Sequence, residues 1–249
     1  MTSAGSISVR HSGVHMTKLS VKSLRSGYGS VRIINNFSMD VREGEIVAVI
    51  GRNGVGKTTL MKSIVGMTKV TGGSIEFLSK DLGGLSPSDR ARRGIGYVPQ
   101  GRGIFAKLSV ESNLKLGMGV GDVSQPRFDR VFSFFPILEK RLSQQAGSMS
   151  GGEQQQLAIA RILVGAPQIM LLDEPSEGIQ PNIVQEIGRT IRRLRDEESL
   201  TIVIVEQNLS LIQAVADRCV VMDKGEAIAE IIPAELEDPE VSQRYLAIG

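Results

Sequence analysis

Gly51-Arg52-Asn53-Gly54-Val55-Gly56-Lys57-Thr58-Thr59 follows an apolar β-branched run, Ile46-Val47-Ala48-Val49-Ile50, and precedes a helix-compatible run over 60–65. The order is strand, glycine-rich loop, helix, and the spacing G-x-x-x-x-G-K-T is that of a phosphate-binding loop. Glycines let the backbone curl so that several N–H groups point inward at a phosphate chain. The following helix turns its positive N-terminal end to the same anion. In this pattern Gly51, Asn53, Gly54, Val55, Gly56 and Thr59 form the cradle. Lys57 reaches the β- and γ-phosphates, and the Thr58 hydroxyl is a ligand for Mg²⁺. The competing reading is a tight strand-to-helix turn that happens to contain Gly and Lys.

The surrounding chain is ordinary in bulk. It has 249 residues, 41% hydrophobic and 22% charged, with a formal net charge of +2. That suffices for one large or two small domains with a filled core. So small a charge gives no electrostatic case for nucleic acid, and no nucleic-acid partner is expected. Cys219 is the single cysteine, so no internal disulfide can form, which fits a reducing compartment. Its apolar neighbours predict a buried, inert thiol. No run approaches the roughly 18 consecutive apolar residues of a bilayer span, so the chain is expected to be soluble or peripheral. Residues 1–16 are expected to be a flexible N-terminal extension, with Met16 a candidate start, and 17–249 the folded domain. His11 and His15 lie in that extension with no further ligand nearby, so no metal site is expected there.

Ahead of the loop the pattern is β-rich. A short strand starts at Leu19-Ser20-Val21, Ser26-Gly27-Tyr28-Gly29-Ser30 reads as a turn, and 31–39 as a further strand. Strand character returns at 74–78, and Ser86-Pro87 opens a helix over 86–93. Ile95-Gly96-Tyr97-Val98-Pro99-Gln100 reads as a strand that ends in a loop. Residues of about 101–160 change to helical pieces, behind the cap Ser109 and over 128–135, with a loop at 117–126 between them. A helix starts at Ser150. Thereafter buried strands at 168–174 and 200–205 alternate with helices at 183–195 and 209–216, followed by a hairpin over 218–231 and a closing helix over 233–246. Buried strands alternating with helices predict a parallel α/β core.

Two further stretches carry chemistry. Asp173 and Glu174 end the apolar run Ile169-Met170-Leu171-Leu172, the place where α/β sheets put ligand contacts. Asp173 suits Mg²⁺, through water, and Glu174 suits polarisation of an attacking water; a pair of solvated acids is the plain alternative. In Met149-Ser150-Gly151-Gly152-Glu153, Ser150 can cap a helix while two glycines expose backbone N–H groups. That is an anion site without a lysine, able to face a γ-phosphate held by a second molecule, and it is equally a plain N-cap with a glycine-rich entry.

In this order the motifs resemble the ATP-binding subunit of an ABC transporter. Phosphate loop, Gln loop at Gln100, signature at 149–153, acidic strand end at Asp173-Glu174-Pro175 and the loop Glu177-Gly178-Ile179-Gln180 follow one another over residues 18–249. The resemblance implies an α/β fold, a P-loop NTPase of the ABC type with an antiparallel β subdomain and a helical subdomain at about 101–160. It implies that the chain binds ATP and Mg²⁺ and hydrolyses ATP to drive transport. The residues it marks as catalytic are Glu174, Gln207 and Lys57, and those it marks for the metal are Thr58, Gln100 and Asp173. Tyr28 would stack on adenine, though it also reads as a turn tyrosine. Ser150, Gly151 and Gly152 would face the ATP of a second subunit in a head-to-tail dimer. Phe105 and Leu108 would receive the coupling helix of a membrane subunit, with core packing the competing reading.

Within the family the wording of 99–105, 174–181 and Val205-Glu206-Gln207-Asn208 is most similar to importers of branched-chain amino acids, urea and short-chain amides. The run Glu177-Gly178-Ile179-Gln180-Pro181 looks most like the urea-importer subunit. Three positions depart from the family pattern. Glu153 stands where Gln is usual and adds negative charge near a nucleotide. Gln180 stands where many relatives have Asp. Gln207 stands where most have a switch histidine; a glutamine donates to a γ-phosphate but carries no positive charge and shuttles no proton. The resemblance therefore implies a heterodimer with a second ABC ATPase subunit that supplies a histidine, a homodimer being open to the isolated chain. It also implies two membrane permease subunits and a periplasmic substrate-binding protein, at the cytoplasmic face of the bacterial inner membrane. A non-transport ABC ATPase, a lipopolysaccharide-export-type ATPase and a degenerate nucleotide-binding module are the competing readings.

Overall fold

A computed structural model describes residues 16–121 and 127–246. The expectations for 1–15 and for part of the loop at 117–126 fall outside these described residues. The strand that leads into the phosphate loop and its two neighbours on one side are apolar on both faces, apart from Thr201 and Asp173 at strand ends, because both faces are covered. In β3 (Ile46–Ile50), Ile46, Ala48 and Ile50 enter one core cluster and Val47 and Val49 the other. The same alternation runs through β7 (Ile169–Asp173) and β8 (Thr201–Val205). A strand with no polar face belongs in the middle of a parallel sheet.

The strands form one ten-stranded sheet in the order β5-β4-β1-β2-β10-β9-β3-β8-β7-β6. Its parallel arm joins β9 (Arg218–Asp223), β3, β8, β7 and β6 (Ile95–Val98). Its antiparallel arm joins β1 (Thr17–Tyr28), β2 (Val31–Arg42), β4 (Lys69–Phe77) and β5 (Lys80–Asp81). β10 (Glu226–Ile231) links the arms, antiparallel to β9 and parallel to β2 through Glu226 and Asn36. Helix α1 (Lys57–Ile64) lies in the cluster that the antiparallel arm shares. The other cluster takes α3 (Val110–Leu116), α4 (Phe128–Phe134), α6 (Gly151–Leu163), α7 (Pro181–Glu198) and α8 (Leu209–Val215). Helix α2 (Pro87–Arg92) starts at a capping box made by Ser86 and Asp89, α5 is the short turn Pro136–Glu139, and α9 is Pro239–Leu246.

Two local expectations change, and one competing reading is set aside. The short strand at Leu19 runs through to Tyr28, so Ser26, Gly27 and Tyr28 are paired strand residues and only Gly29 and Ser30 turn. The reason is tertiary: Ser26 is fully buried, with its hydroxyl bonded to Thr68 and to the Lys69 carbonyl of the next strand. The closing helix divides into a 3₁₀ turn at Pro233–Glu237 and α9, with Asp238 and Pro239 at the break. Phe105 and Leu108 are not core residues: they stand 50% and 40% exposed.

One buried cation clamps the base of α1. Arg90 in α2 donates to the carbonyls of Ser63 and Ile64, the last of α1, and to those of Leu82 and Leu85. It thereby satisfies orphan helix carbonyls and places positive charge at the negative end of the helix dipole. Arg90→Met keeps the apolar stem and strands those carbonyls in a dry setting. The variant is expected to lose about 3 kcal/mol of stability, read as a lowered thermal or urea midpoint. An unchanged midpoint would show that water replaces the guanidinium without cost.

Candidate active site

The site is built where β3 and β7 end. Gly51, at φ 150°, passes so close to β9 that a Cβ there would lie 2.2 Å from the Met222 carbonyl. Gly56, at φ 111°, ends the loop as the N-cap of α1. Both conformations exclude ordinary side chains, so the loop is held curled before any phosphate arrives. Lys57 is buried, and its ammonium donates to the Gly51 and Arg52 carbonyls at 2.7 and 2.9 Å. Burial pulls its pKa below the ordinary lysine range, opposed by the carboxylates of Glu174, Asp173 and Glu206. A desolvated ammonium held by neutral carbonyls gains a stronger partner when an anion enters.

Tyr28, Asn53, Gly54, Gly56, Lys57, Thr58, Thr59, Gln100 and Glu174 line one open cleft of about 300 Å³. These are nine of the residues marked from the sequence, drawn from four separate segments. The tyrosine is half-exposed at the lip, where its ring can lie against a planar base. Ile33 of β2 joins them as a lining residue that sequence reasoning missed; nothing in its local pattern marks it. Gly51 and Val55 lie behind the cleft as its support.

Asp173 and Glu174 differ in their surroundings. Asp173 is 1% exposed, accepts from Thr58 Oγ1 at 3.1 Å and from Tyr97 Oη at 3.0 Å. Burial raises its pKa, and those two hydroxyls oppose the rise. Glu174 has φ 48°, a left-handed turn that carries its carboxylate out of the strand line and into the cleft. There its two oxygens each accept an amide: Gln207 Nε2 at 2.9 Å and Gln100 Nε2 at 3.1 Å. Gln207 Nε2 also donates to Asn53 Oδ1 at 2.7 Å, tying the end of β8 to the phosphate loop.

A cation at this corner would find hard oxygen donors, the Thr58 hydroxyl and the buried Asp173 carboxylate. Among the described residues no group of three His, Cys, Asp or Glu side chains converges. The donor set therefore fits a magnesium ion that takes its remaining ligands from phosphate and water.

Glu206 is a second residue that sequence reasoning passed over. It is 3% exposed and accepts the backbone N–H groups of Ser176, Gln207 and Asn208. Its signal was available: an acid directly after an all-apolar strand, as at Asp173. The carboxylate orders the loops that carry Gln207 and follow Glu174.

Ser150, Gly151 and Gly152 do not line the cleft. Ser150 caps α6 in a capping box with Glu153. A Cβ on Gly152 would lie 2.4 Å from Ile183 of α7, so that glycine is also needed for helix packing. The Glu153 carboxylate, in the first turn of α6, bonds the Ser150 N–H and pairs with Arg141 at 3.0 Å. Gln180 is the N-cap residue of α7 but makes no side-chain cap.

A sequence profile of the family described as ABC transporter matches residues 34–177. The chain is 41% identical over 231 residues to a high-affinity branched-chain amino acid transport ATP-binding protein of Pseudomonas aeruginosa, covering 92% of this chain and 99% of that protein. It is 37% identical over 236 residues to the lipopolysaccharide export system ATP-binding protein of Escherichia coli K12, covering 93% and 98%. The fold superposes on a nucleotide-free ATP-binding cassette from an ABC transporter with a TM-score of 0.81 at 25% identity, covering 94% of this chain and all of that one.

The Glu206 carboxylate gives the site a direct test. Glu206→Ala leaves three backbone donors unmet and is expected to cost about 3 kcal/mol. Hydrogen exchange at the amides of Ser176, Gln207 and Asn208 should accelerate while amides of β3 keep their relative protection. Unaltered exchange at those three amides would remove the ordering role.

Proposed function

We propose, for a chain that belongs to the ABC transporter family of ATP-binding subunits, that it powers uptake of branched-chain amino acids through a membrane complex. It binds and hydrolyses ATP as its family does. The cargo class rests on the similarity to the Pseudomonas aeruginosa protein, which is named for branched-chain amino acid transport. The lipopolysaccharide-export reading is disfavoured by Gln207, which stands where that group is expected to carry a histidine.

The observation that carries the catalytic reading is the position of Glu174, in the same cleft as the phosphate loop and between two amides. Lys57 exchanges its loop carbonyls for β- and γ-phosphate oxygens as nucleotide enters, and the N–H groups of the loop and of α1 share the phosphate charge. Thr58, Asp173 and Gln100 are the residues that would hold Mg²⁺. When bound, the ion supplies charge neutralisation on the phosphates. Glu174 orients and polarises the attacking water. In the resting arrangement each of its oxygens accepts one amide N–H, from Gln207 and from Gln100, and keeps a further lone pair for the water. A γ-phosphate competes for the Gln207 amide, which links nucleotide entry to the hydrogen bonding of Glu174.

Ser150, Gly151 and Gly152 do not line this cleft, and the helix start they form serves a second subunit's nucleotide in a head-to-tail dimer. Gln207 cannot act as a charged switch, so the partner is a distinct ATPase subunit that brings a histidine to its own site. Phe105 and Leu108 are exposed beside Gln100 in sequence and take the coupling segment of a permease subunit. Among the described residues no helix is long and apolar enough to cross a membrane. Attachment at the cytoplasmic face is through the permeases, with a periplasmic binding protein that selects cargo.

Glu174→Gln is expected to bind ATP with parental affinity and to lose at least about 100-fold in turnover. The variant co-assembled with its membrane subunits should abolish uptake of labelled leucine; turnover at the parental rate would remove Glu174 from the role of base. Lys57→Ala should weaken ATP binding by more than about tenfold in a fluorescent-nucleotide titration. Tight binding by that variant would remove the ammonium from the phosphate site. A fully assembled complex that hydrolyses ATP in response to another class of binding protein would overturn the cargo assignment alone.

A further inference from the structure

Tyr97 is an unusual residue for its strand. β6 reads Ile95-Gly96-Tyr97-Val98, and its other large side chains are buried hydrocarbon. Tyr97 pairs with Leu171 in the parallel register between β6 and β7. Paired residues of parallel strands face the same way, and so do alternate residues of one strand. Tyr97, Leu171 and Asp173 therefore share a face. The ring packs against the cluster that holds Leu171 and α1. Two strand residues advance about 6.6 Å, which is the reach of a tyrosine from backbone to hydroxyl. The phenol arrives at the last residue of β7, and Tyr97 Oη donates to Asp173 Oδ2 at 3.0 Å.

The other oxygen of that carboxylate, Oδ1, accepts from Thr58 Oγ1 at 3.1 Å. The carboxylate is held at both ends, by the first turn of α1 on one side and by β6 on the other. With only the Thr58 contact it would be free to turn about its last torsion, since terminal carboxylate torsions are broad. The Tyr97 bond removes that freedom. It reaches the carboxylate from the sheet, leaving Oδ1 and the Thr58 hydroxyl together beside the cleft. Phenylalanine would fill the same space and lack the bond, and no shorter polar side chain would span the distance.

We propose that Tyr97 is a positioning residue for the divalent cation: it fixes the Asp173 carboxylate so that Oδ1 and the Thr58 hydroxyl present a ready-made pair of oxygens. This rests on the reading of Asp173 as a metal-holding residue. It adds to Thr58, Asp173 and Gln100 a further residue, from within a strand outside the phosphate loop and the acidic strand end, in the apparatus for the ion. Because Tyr97 does not line the cleft and touches the site through Asp173, the effect falls on metal affinity and not on metal-free nucleotide affinity.

The test is Tyr97→Phe in the full chain, with Mn²⁺ as the probe. Binding of Mn²⁺ to the protein–ATP complex is followed by loss of the free-ion paramagnetic resonance signal. The variant should bind Mn²⁺ about tenfold more weakly, and half-maximal hydrolysis should need about tenfold more Mg²⁺. ATP affinity measured in EDTA should match the parent. Tyr97→Met, which also fills apolar space without a hydroxyl, should repeat the metal defect. Mn²⁺ affinity within about twofold of the parent in Tyr97→Phe overturns the proposal, as does an equal loss of metal-free ATP affinity, which would mark a general distortion of the cleft. Asp173→Asn separates the two readings. If it too keeps parental Mn²⁺ affinity, Asp173 does not hold the ion; if it loses Mn²⁺ while Tyr97→Phe does not, only the role of Tyr97 falls.

Discussion

Burial of both faces of β3, β7 and β8 is the constraint on which the rest of this protein depends. Strands covered on both sides have no lateral outlet for polar groups, so polar side chains can emerge only at strand ends. The phosphate loop, the Asp173-Glu174 pair and the Glu206-Gln207 pair are three such ends. β3 pairs with β8, and β8 pairs with β7 with Asp173 opposite Val205. The site is compact because the register of the parallel arm is in step, and the register is in step because a slip of one residue would exchange the two apolar faces of each strand.

At those ends the polar groups satisfy one another. Lys57 rests on its own loop carbonyls, Asp173 on two hydroxyls, Glu174 on two amides, and Glu206 on three backbone N–H groups. Such mutual satisfaction keeps a charged site from destabilising the core beside it. It also defines what nucleotide has to displace. Glu206 is locked into backbone and is expected to stay, whereas the Gln100 and Gln207 amides are neutral donors, Gln100 to Glu174 alone and Gln207 to Glu174 and Asn53.

Most of the fold was readable because its signals are local. The capping pairs at Ser86 and Ser150, the apolar runs of β3, β7 and β8, and the loop glycines are each dictated by neighbours within a few residues. The failures have long-range causes. Ser26-Gly27-Tyr28 has turn composition, but Ser26 is buried against Thr68 and Lys69, so the strand runs on. The partner of Glu153 is invisible in sequence, because Arg141 stands twelve residues earlier. Tyr97 reads as a strand aromatic until the register places its hydroxyl on Asp173.

By itself, then, the sequence determined that a phosphate loop stands between an apolar strand and a helix, that acids end a second apolar strand, and that a glutamine ends a third. Those are properties of short stretches, set by backbone conformation and by periodicity. Only the tertiary structure decided which of these ends meet. It placed Gln100 and Gln207 on the same carboxylate, turned Tyr97 from packing residue to donor, and carried Ser150-Gly151-Gly152 away from the cleft into a helix start of its own. Strand order and register set those distances, and they are fixed by how apolar faces pack across the sheet, which no single segment contains.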